Sequence, residues 1–544
     1  MIESSAVESP STRPGTSVHA AESASTVRHR SAPFLRLLVL IGGFSSIGVE
    51  LTASRLLAPY FGSSTFIWAS LIGVTLAFLS LGYLLGGRVA DRRPEPQLLY
   101  GVSAVAAIAI GLIPFVARPL LLGSLQAFSE LDAGAFYGSL AGTLLLLAPP
   151  IVLLGFISPF AIRLQLTDVA SAGQTAGSLY ALSTIGSIAG SFLPVLVLIP
   201  LLGAAATFFT LSAVLLIPSI AGLLAVRNRP AALVFALFAL SVPLIAAAAP
   251  AGVRPPERGW LVDERESAYN YIQVVENEEG ARALILNDGH AVHSVFDEDE
   301  LLTGGPWDYV MIAPLLAEST PGIEPQDALL IGLAGGTMAR QLTAAYGEIP
   351  IDGVEIDPEI VAVGREFFGL DALNNVNVIV ADGRYALRTT EHQYDLIAVD
   401  AYRQPYIPFQ LTSREFFDEV SAKLRPGGVV MVNAGRSATD YRLVDVLGAT
   451  MRDVFPYVVA VDVARYTNTI LVGSDTPLSA SALADNAAQL DADSPVRDVA
   501  RWSLESGNIR TIEPGGQVYT DDRAPVELLI DNMILDAARQ LTGG

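Results

Sequence analysis

The sequence predicts a multi-pass α-helical membrane domain followed by a Rossmann-like α/β domain, which begins with a small β-hairpin region. Residues 1–250 hold 12 arginines and 9 acidic residues, whereas residues 251–544 hold 21 basic and 46 acidic residues. Apolar runs long enough to cross a bilayer lie before residue 250, and strand and helix patterns alternate after it. These observations place a boundary near residue 250, between a nearly neutral apolar half and an acidic half.

The N-terminal segment 1–33 is rich in Ser, Thr, Pro and Ala without apolar periodicity, which is typical of a disordered tail. Residues 34–250 are predicted to form a transmembrane helical domain of about seven spans. Arg36 precedes the first apolar run and Arg88 follows the second, so the positive-inside rule places both ends in the cytoplasm. The apolar runs lie at residues 37–54, 65–87, 98–117, 139–160, 180–203, 204–226 and 231–249.

Glycine spacing in the membrane half predicts close helix packing. Gly82 and Gly86 are four residues apart, and so are Gly186 and Gly190. Small residues at this spacing let two helices approach closely, since no side chain holds their backbones apart. We therefore expect each pair to face a neighbouring helix.

Composition excludes several kinds of site. The chain has no cysteine, which excludes disulfides and thiolate zinc sites. Among the five histidines only His290 and His293 lie close together in sequence, so we expect no metal. The acidic C-terminal half argues against a nucleic-acid partner, because phosphate binding needs a basic surface.

The C-terminal half is predicted to contain two parts. Residues 255–300 form a small β-strand region, with short apolar runs followed by the hairpin signal Asn287-Asp288-Gly289. Residues 301–544 form the Rossmann-like domain, since repeated strand–helix units imply a parallel sheet covered on both faces. Its strands are predicted at residues 327–333, 350–355, 376–381, 394–400 and 428–433.

A glycine-rich turn and three acidic residues mark a predicted ligand site. The first strand enters the turn Gly332–Gly336, which opens a helix whose N-terminus offers free N–H groups. Glu355, Asp382 and Asp400 end the next three strands. Ligands bind at the carboxyl ends of such strands, and an acid at the second strand can accept from ribose hydroxyls. The alternative is that each acid only caps the helix that follows it.

Residues 260–475 resemble the spermidine synthase (polyamine aminopropyltransferase) family, and the whole chain resembles the fused membrane–spermidine synthase-like proteins. The resemblance implies an AdoMet-dependent transferase fold. It also implies decarboxylated S-adenosylmethionine as the donor, with S-adenosylmethionine (AdoMet) as the alternative, and a small-molecule amine as the acceptor. The matching stretches are Glu266–Gln273, Gly332–Thr337, Val354–Asp357, Ala381–Arg384, Tyr394–Asp400 and Leu424–Val429.

The resemblance also implies roles for individual residues. Asp400 matches the acid that orients and deprotonates the attacking amine, which is needed because an ammonium cannot attack. Asp308, Tyr402 and Arg403 lie in stretches that match the substrate side. The residues implied for donor binding are Asn270, Gly332, Gly335, Gly336, Glu355, Asp382 and Gly383.

Two departures from the family affect the substrate side. Gly335 stands where the family usually has an aspartate that binds the donor's amino group, and Arg403 stands where it has a second acid. The nucleoside half of the site is therefore similar to the family's, and the diamine half is rebuilt. Arg403 would repel a diammonium substrate if it points inward, or it would bind a carboxylate.

Three functions follow from these residues. The leading interpretation is a membrane-anchored aminopropyltransferase-like enzyme. The second is an AdoMet-dependent methyltransferase, which Gly335 and Arg403 favour. The third is a non-enzymatic transporter or scaffold with a nucleoside-sensing domain. Glu50, a costly carboxylate inside the first apolar run, favours it, as does the stretch 81–93, which partly resembles a loop signature of major facilitator transporters.

We expect the chain in the cell membrane, with the lipid bilayer as a partner. Seven spans from a cytoplasmic first end would place the α/β domain outside, whereas an intracellular donor requires it in the cytoplasm. We expect the cytoplasmic placement because the span count at residues 180–249 is the weaker argument. The sequence leaves the oligomeric state open, a homo-oligomer included.

Overall fold

The structure is a computed structural model, and its residues form two compact units. One unit comprises Met1–Ala53, Ser70–Arg118 and Gly142–Ala251, and the other comprises Ser54–Ala69, Pro119–Ala141 and Gly252–Gly544. The structure describes residues 15–61, 65–128, 134–166, 168–247, 256, 258–287, 291–318, 324–402, 406–505 and 507–542.

The first half of the chain is helical, as predicted. Helix α1 begins at Gly15, inside the segment predicted as a tail, and residues 1–14 lie outside the described residues. The helices are α1 (Gly15–Phe61), α2 (Thr65–Arg92), α3 (Pro96–Phe128), α4 (Gly134–Gly155), α5 (Ile157–Gln165), α6 (Ala172–Leu193), α7 (Ile199–Ala225) and α8 (Arg229–Ala247).

Five helical segments in the described part of the chain are long and apolar enough to cross a membrane. The longest, Val169–Ala225, contains two of the predicted runs, 180–203 and 204–226. Gly203 has a non-helical backbone (φ +80°, ψ 166°) and lies at the predicted border between these two runs. The last predicted run, 231–249, corresponds to the apolar helix α8.

The glycine pairs make the close helix contacts that their spacing predicts. A Cβ at Gly186 would lie 1.9 Å from the Leu40 carbonyl oxygen of α1, and one at Gly190 would lie 2.3 Å from that of Phe44. Gly82 is in the same position against α4, where a Cβ would lie 2.3 Å from the Val152 carbonyl oxygen.

We expect Gly186→Ala to lower the thermal unfolding temperature of the full chain in detergent. The added methyl overlaps the backbone of α1, and overpacking of this kind costs about 1–3 kcal/mol. Gly177→Ala is the matched control, because it lies in the same helix with nothing within 4 Å of an added Cβ. The control should be neutral or slightly stabilising, since alanine has the higher helix propensity. Equal unfolding temperatures for the two variants would contradict the packing argument.

The α/β unit contains two sheets. A four-stranded antiparallel sheet has the order β1-β2-β3-β4, and an eight-stranded sheet has the order β12-β10-β11-β9-β8-β5-β6-β7. The strands are β1 (Trp260–Glu266), β2 (Tyr271–Glu276), β3 (Arg282–Leu286), β4 (Val292–Phe296), β5 (Ala328–Ile331), β6 (Ile351–Glu355), β7 (Val376–Val380), β8 (Tyr394–Val399), β9 (Leu424–Gly435), β10 (Tyr457–Asp462), β11 (Asn468–Ser474) and β12 (Ile509–Thr511).

The larger sheet has the predicted parallel centre. Strands β9, β8, β5, β6 and β7 are parallel neighbours, and β11, β10 and β12 extend the sheet beyond β9, each antiparallel to the strand beside it. After β7 the chain returns to the other side of β5 to form β8, which makes the β5–β8 junction the topological switch point. Ligands bind outside the carboxyl ends of the strands at such a junction.

Helices cover both faces of this sheet because successive residues of a buried strand point to opposite sides. Leu329 and Ile331 of β5 belong to one buried cluster, and Leu330 belongs to the other. The helices of the unit are α9 (Thr337–Tyr346), α10 (Pro358–Phe367), α11 (Gly383–Thr389), α12 (Arg414–Lys423), α13 (Arg442–Arg452), α14 (Ala480–Gln489), α15 (Pro495–Ser503) and α16 (Val526–Thr542).

Candidate active site

A cavity of about 460 Å³ lies at the carboxyl ends of β5 and β8. Gly332 and Asp400 follow these two strands and form one wall with Asn433 of β9. Strand β4 of the antiparallel sheet provides a second wall, and the apolar side of α16 provides a third. These two walls contain Val292, His293, Ser294, Ile530, Met533, Ile534 and Ala537.

Asp400 is the predicted catalytic residue and lines this cavity. Its backbone N–H donates to the Ile331 carbonyl oxygen at 2.9 Å, which fixes the residue beside β5. The Asn433 carboxamide donates to its Oδ1 at 3.0 Å. Burial raises the pKa of the Asp400 carboxyl to about 6, although the hydrogen bond from Asn433 acts in the opposite direction. A carboxylate with this pKa is basic enough to accept a proton near neutral pH.

Tyr402 also lines the cavity, but its hydroxyl is bonded to the backbone of β9. The hydroxyl donates to the Asn433 carbonyl oxygen at 2.9 Å and accepts from the Gly435 N–H at 2.8 Å. Burial raises its pKa, and the charge of Asp400 adds to the effect. Tyr402 therefore presents its ring to the cavity while its hydroxyl holds the end of β9 in place.

Gly332 allows the close approach of two strand ends. Its φ is +94°, and a Cβ here would lie 2.3 Å from the Asp400 carbonyl oxygen. Only glycine has both the conformational freedom and the space that this position requires. The first residue of the glycine-rich turn therefore determines how near Asp400 can come to β5.

The N–H groups of the turn differ from the sequence-based expectation, because all five already have acceptors within the protein. Gly332 and Leu333 both donate to the Val354 carbonyl oxygen, at 2.9 and 3.0 Å. Ala334 donates to a Glu355 carboxylate oxygen at 3.0 Å, Gly335 donates to Ser294 Oγ at 2.8 Å, and Gly336 donates to the Leu333 carbonyl oxygen at 2.9 Å. The turn is thus held by its neighbours, and it serves a ligand mainly by leaving space.

Gly335 and Gly336 are both packed against side chains. A Cβ at Gly335 would lie 3.0 Å from Phe368 Cγ and 3.0 Å from Ser294 Cβ, so an aspartate would not fit here without rearrangement. Gly336 has φ +97° and would bring a Cβ within 2.9 Å of Leu370.

Glu355 is buried at the end of β6 and is not among the residues that line the cavity. Its carboxylate accepts from the Ala334 and Asp357 N–H groups at 3.0 and 3.1 Å. Burial raises its pKa to about 7, against the lowering effect of these backbone N–H groups. A ribose that donated two hydroxyl hydrogens to this carboxylate would favour its charged form.

Asn270 belongs to a network that joins the two sheets. Its carboxamide donates to Asp357 Oδ2 at 2.9 Å and accepts from the Asn287 amide at 2.9 Å. Asp357 is fully buried and also caps α10 by accepting from the Glu359 N–H at 3.0 Å. The Asn270 side chain therefore supports the loop that follows Glu355, which contains Asp357. It is not among the residues that line the cavity.

Asp382 and Gly383 follow β7 and begin α11. Asp382 caps this helix by accepting from the Tyr385 N–H at 3.0 Å, so the capping alternative holds for this acid. The cap uses only Oδ1 of Asp382, and a strand-end carboxylate can bind a ligand with its second oxygen. Gly383 packs against Ile331, whose Cγ2 would lie 2.4 Å from an added Cβ.

Asp308 occupies a closed network rather than a cavity wall. It is fully buried and accepts from the N–H groups of Thr303 and Gly304 at 3.0 and 2.7 Å, from the Thr303 hydroxyl at 2.7 Å, and from the Gln341 side chain. These bonds occupy both of its oxygens, so the structure gives Asp308 a role in holding the 303–308 segment. The neighbouring Trp307 reaches the cavity instead. Arg403 lies outside the described residues.

Three residues that sequence reasoning did not select lie on the cavity wall: His293, Asn433 and Arg436. Burial lowers the pKa of His293 to about 4, and its Nε2 is buried without a hydrogen-bond partner among the described residues. Asn433 directly follows the apolar run Val429–Val432 of β9, and a polar residue at this place was a signal in the sequence. Arg436 carried no such signal, because an arginine after a strand is common at a surface.

Comparison with known proteins agrees with this geometry. Residues 309–472 match the family model of the spermine/spermidine synthase domain. The C-terminal region carries a spermidine synthase domain. The matched residues include the turn after β5, Asp400 and Asn433, which form one wall of the cavity, whereas β4 and α16 lie outside the match.

Two relatives of this chain are named as polyamine aminopropyltransferases. A probable polyamine aminopropyl transferase from Bifidobacterium longum is 35% identical over 297 residues, which cover 51% of this chain and 65% of the relative. A polyamine aminopropyltransferase from Vibrio vulnificus is 29% identical over 203 residues, covering 36% of this chain and 65% of the relative. The chain thus spans just under two thirds of the length of both relatives.

A solved structure that is named as a probable spermidine synthase also aligns with the chain. The crystal structure of a probable spermidine synthase from Corynebacterium glutamicum aligns with a TM-score of 0.39 and 21% identity. The alignment covers 48% of this chain and 96% of the other.

Proposed function

We propose that this chain is an aminopropyltransferase-like enzyme that transfers an aminopropyl group from decarboxylated AdoMet to a small-molecule amine. The observation that carries the proposal is Asp400, a carboxylate on the wall of the switch-point cavity. Asn433 orients it, and burial gives it a pKa of about 6. The family match and the names of the relatives support the same reaction.

The proposed reaction is a displacement. The amine nitrogen of the acceptor attacks the carbon beside the sulfonium of the donor. A C–N bond forms, the C–S bond breaks, and its electron pair goes to sulfur, which releases neutral methylthioadenosine. Asp400 accepts the proton that the nitrogen must lose, and general-base assistance of this kind contributes about 10²–10⁴-fold. Holding both substrates at the strand ends supplies a further part of the rate.

Donor binding is assigned to the edge of the sheet beside this cavity. Glu355 would accept from the ribose hydroxyls and Asp382 from the adenine amino group, with Gly332, Gly335, Gly336 and Gly383 leaving space for the nucleoside. Asn270 would act through Asp357 and the Glu355 loop, and Tyr402 would form part of the acceptor wall. These assignments rest on strand-end positions and on the resemblance to the family.

The direct test is product formation by the full chain in detergent. The purified protein is incubated with decarboxylated AdoMet and a panel of amines, and methylthioadenosine is quantified by chromatography. Release that depends on both substrates supports the proposal. A parallel incubation replaces the donor with AdoMet, and if only this donor is consumed and S-adenosylhomocysteine forms, the methyltransferase alternative is correct. If neither product forms with any acceptor, the proposed function is wrong.

We also propose that the helical unit anchors the enzyme in the cell membrane, with the α/β unit in the cytoplasm. The five long apolar segments support the anchoring. Extraction of isolated membranes at alkaline pH tests it, since an integral protein stays in the pellet and a peripheral one is released. A fluorescent protein fused to the C-terminus tests the cytoplasmic placement.

We expect the pH–rate profile to bend near pH 6. Asp400 is a base only as the carboxylate, and its pKa is raised to about 6, so activity is lost as the pH falls through this value. The bend lies on top of the steady rise that comes from deprotonation of the acceptor itself. Asn433→Ala should move the bend to higher pH, because the hydrogen bond from Asn433 favours the charged carboxylate. A bend at the same pH in both proteins would contradict the role of Asn433.

A further inference from the structure

Arg436 is a cationic group on the cavity wall that the proposed reaction does not use. It follows the end of β9, and its side chain is 10% exposed. Its Nε donates to Thr469 Oγ1 at 3.1 Å, and its Nη1 donates to the Ser437 carbonyl oxygen at 3.1 Å. No atom of the described residues accepts from Nη2. A guanidinium fixed at two nitrogens and unused at the third is prepared to bind an anion.

The carboxylate nearest to Arg436 belongs to Asp462, and it is shared. Asp462 Oδ1 lies 3.7 Å from Arg436 Nε but 2.9 Å from Arg510 Nη1. Tyr441 donates to its other oxygen at 2.8 Å. The Asp445 carboxylate also interacts electrostatically with Arg510. The positive charge of Arg510 is therefore offset more fully than that of Arg436. Asp462 therefore offsets the positive charge of Arg436 less than that of Arg510.

The charges along the cavity wall do not match a simple diamine. The residues that line it include one carboxylate, Asp400, and one guanidinium, Arg436, and no second acid is present among them. Among the described residues of this wall, an acceptor with two ammonium groups finds one acidic partner, Asp400, and meets a like charge at Arg436. Two like charges about 4 Å apart weaken binding by about a thousandfold at an effective dielectric of about 20.

We propose that this cavity takes a ligand that bears a carboxylate, which Arg436 binds while Asp400 holds the reacting amine. The inference rests on the proposed function for the displacement by an amine that releases methylthioadenosine. The carboxylate has two sources: an acceptor that is an aminocarboxylate, or a donor that is intact AdoMet. In both cases the Nη2 of Arg436 donates to a carboxylate oxygen, and the apolar side of α16 covers the carbon chain between the two charged ends.

Calorimetric titrations of the full chain in detergent separate these sources. With methylthioadenosine bound, 4-aminobutanoate is compared with 1,4-diaminobutane, which differs by having an aminomethyl group in place of the carboxylate. Without methylthioadenosine, AdoMet is compared with decarboxylated AdoMet. We expect the carboxylate-bearing member of one pair to bind about tenfold to a hundredfold tighter, as a hydrogen bond to a charged group allows.

Three variants identify the residue that is responsible. Arg436→Gln should abolish the preference, and Arg436→Lys should keep part of it, because the charge remains but the planar fork is lost. Arg510→Gln is the matched control, since it removes a guanidinium from the same Asp462 cluster without changing the cavity wall. It should keep the preference.

The outcomes of the titrations distinguish the two sources of the carboxylate. Tighter binding of 4-aminobutanoate assigns the carboxylate to the acceptor, and tighter binding of AdoMet assigns it to the donor. Failure of both pairs to favour the carboxylate-bearing ligand, equal losses in Arg436→Gln and Arg510→Gln, or no binding of any of the four ligands would overturn the inference. Failure of the proposed function appears differently, as binding that depends on Arg436 without release of methylthioadenosine from any donor and acceptor pair.

Discussion

Asp400→Asn is expected to reduce turnover by about 10²–10⁴-fold, the contribution of a general base, while donor binding changes little. The carboxamide has the same shape but cannot accept the proton of the attacking nitrogen. Asn433 can still donate to its oxygen, so the local geometry is retained. Methylthioadenosine release at saturating substrates measures the loss, and calorimetry with methylthioadenosine measures the binding.

Asp395→Asn is the matched control for this variant. Asp395 lies on the same strand, β8, but at its other end, where Arg425 pairs with it at 3.1 Å and the Gln326 N–H donates to it at 2.8 Å. The same substitution there should leave turnover unchanged apart from a small loss of stability. Activity of Asp400→Asn within about tenfold of the unmodified enzyme would exclude Asp400 as the base.

Gly332→Ala is expected to destabilise the α/β unit and to abolish activity in the fraction that remains folded. A non-glycine residue at φ +94° costs about 1–3 kcal/mol, and the overlap of the new methyl with the Asp400 backbone adds about 1–3 kcal/mol. Relief of this overlap would push the β8 end away from β5, and Asp400 would move with it.

Gly280→Ala separates the two contributions. Gly280 lies in the turn between β2 and β3 with φ +90°, and nothing lies within 4 Å of an added Cβ. It therefore carries the same backbone strain without the overlap. Thermal unfolding should show the larger decrease for Gly332→Ala, and only that variant should lose activity. Similar decreases and similar activities would mean that the close approach of Gly332 to Asp400 has no consequence.

Much of the α/β fold could be predicted from the sequence because its central strands are continuous apolar runs that end at glycine or acidic residues. Strands β5 to β8 lie within one or two residues of their predicted ranges. Strand β9 is longer than predicted, at Leu424–Gly435, because it pairs with β8 on one side and with β11 on the other. Its Pro426-Gly427-Gly428 stretch has no strand signal, and it lies at an irregularity where the pairing with β8 passes from Leu424 to Val429.

The residues of the candidate site could likewise be predicted only in part. Gly332 and Asp400 could be found because a parallel sheet brings successive strand ends together. Asn270 and Asp308 were selected by alignment to a motif, which gives no information about whether a carboxamide or carboxylate faces a ligand or a neighbouring backbone. His293 and Arg436 were missed because they come from β4 and from the end of β9, whose nearness to β5 depends on tertiary packing.

The hydrogen bonds between the antiparallel sheet and the glycine-rich turn have a consequence for the order in which the unit opens. Gly335 donates to Ser294 Oγ, and the Thr337 hydroxyl both donates to the Val295 carbonyl oxygen and accepts from the Val295 N–H, at 2.9 and 3.0 Å. Strand β4 therefore cannot separate from the first turn of α9 without breaking all three. The two segments form one cooperative unit, and the amide hydrogens of Val295 and Gly335 should exchange with solvent through the same opening event.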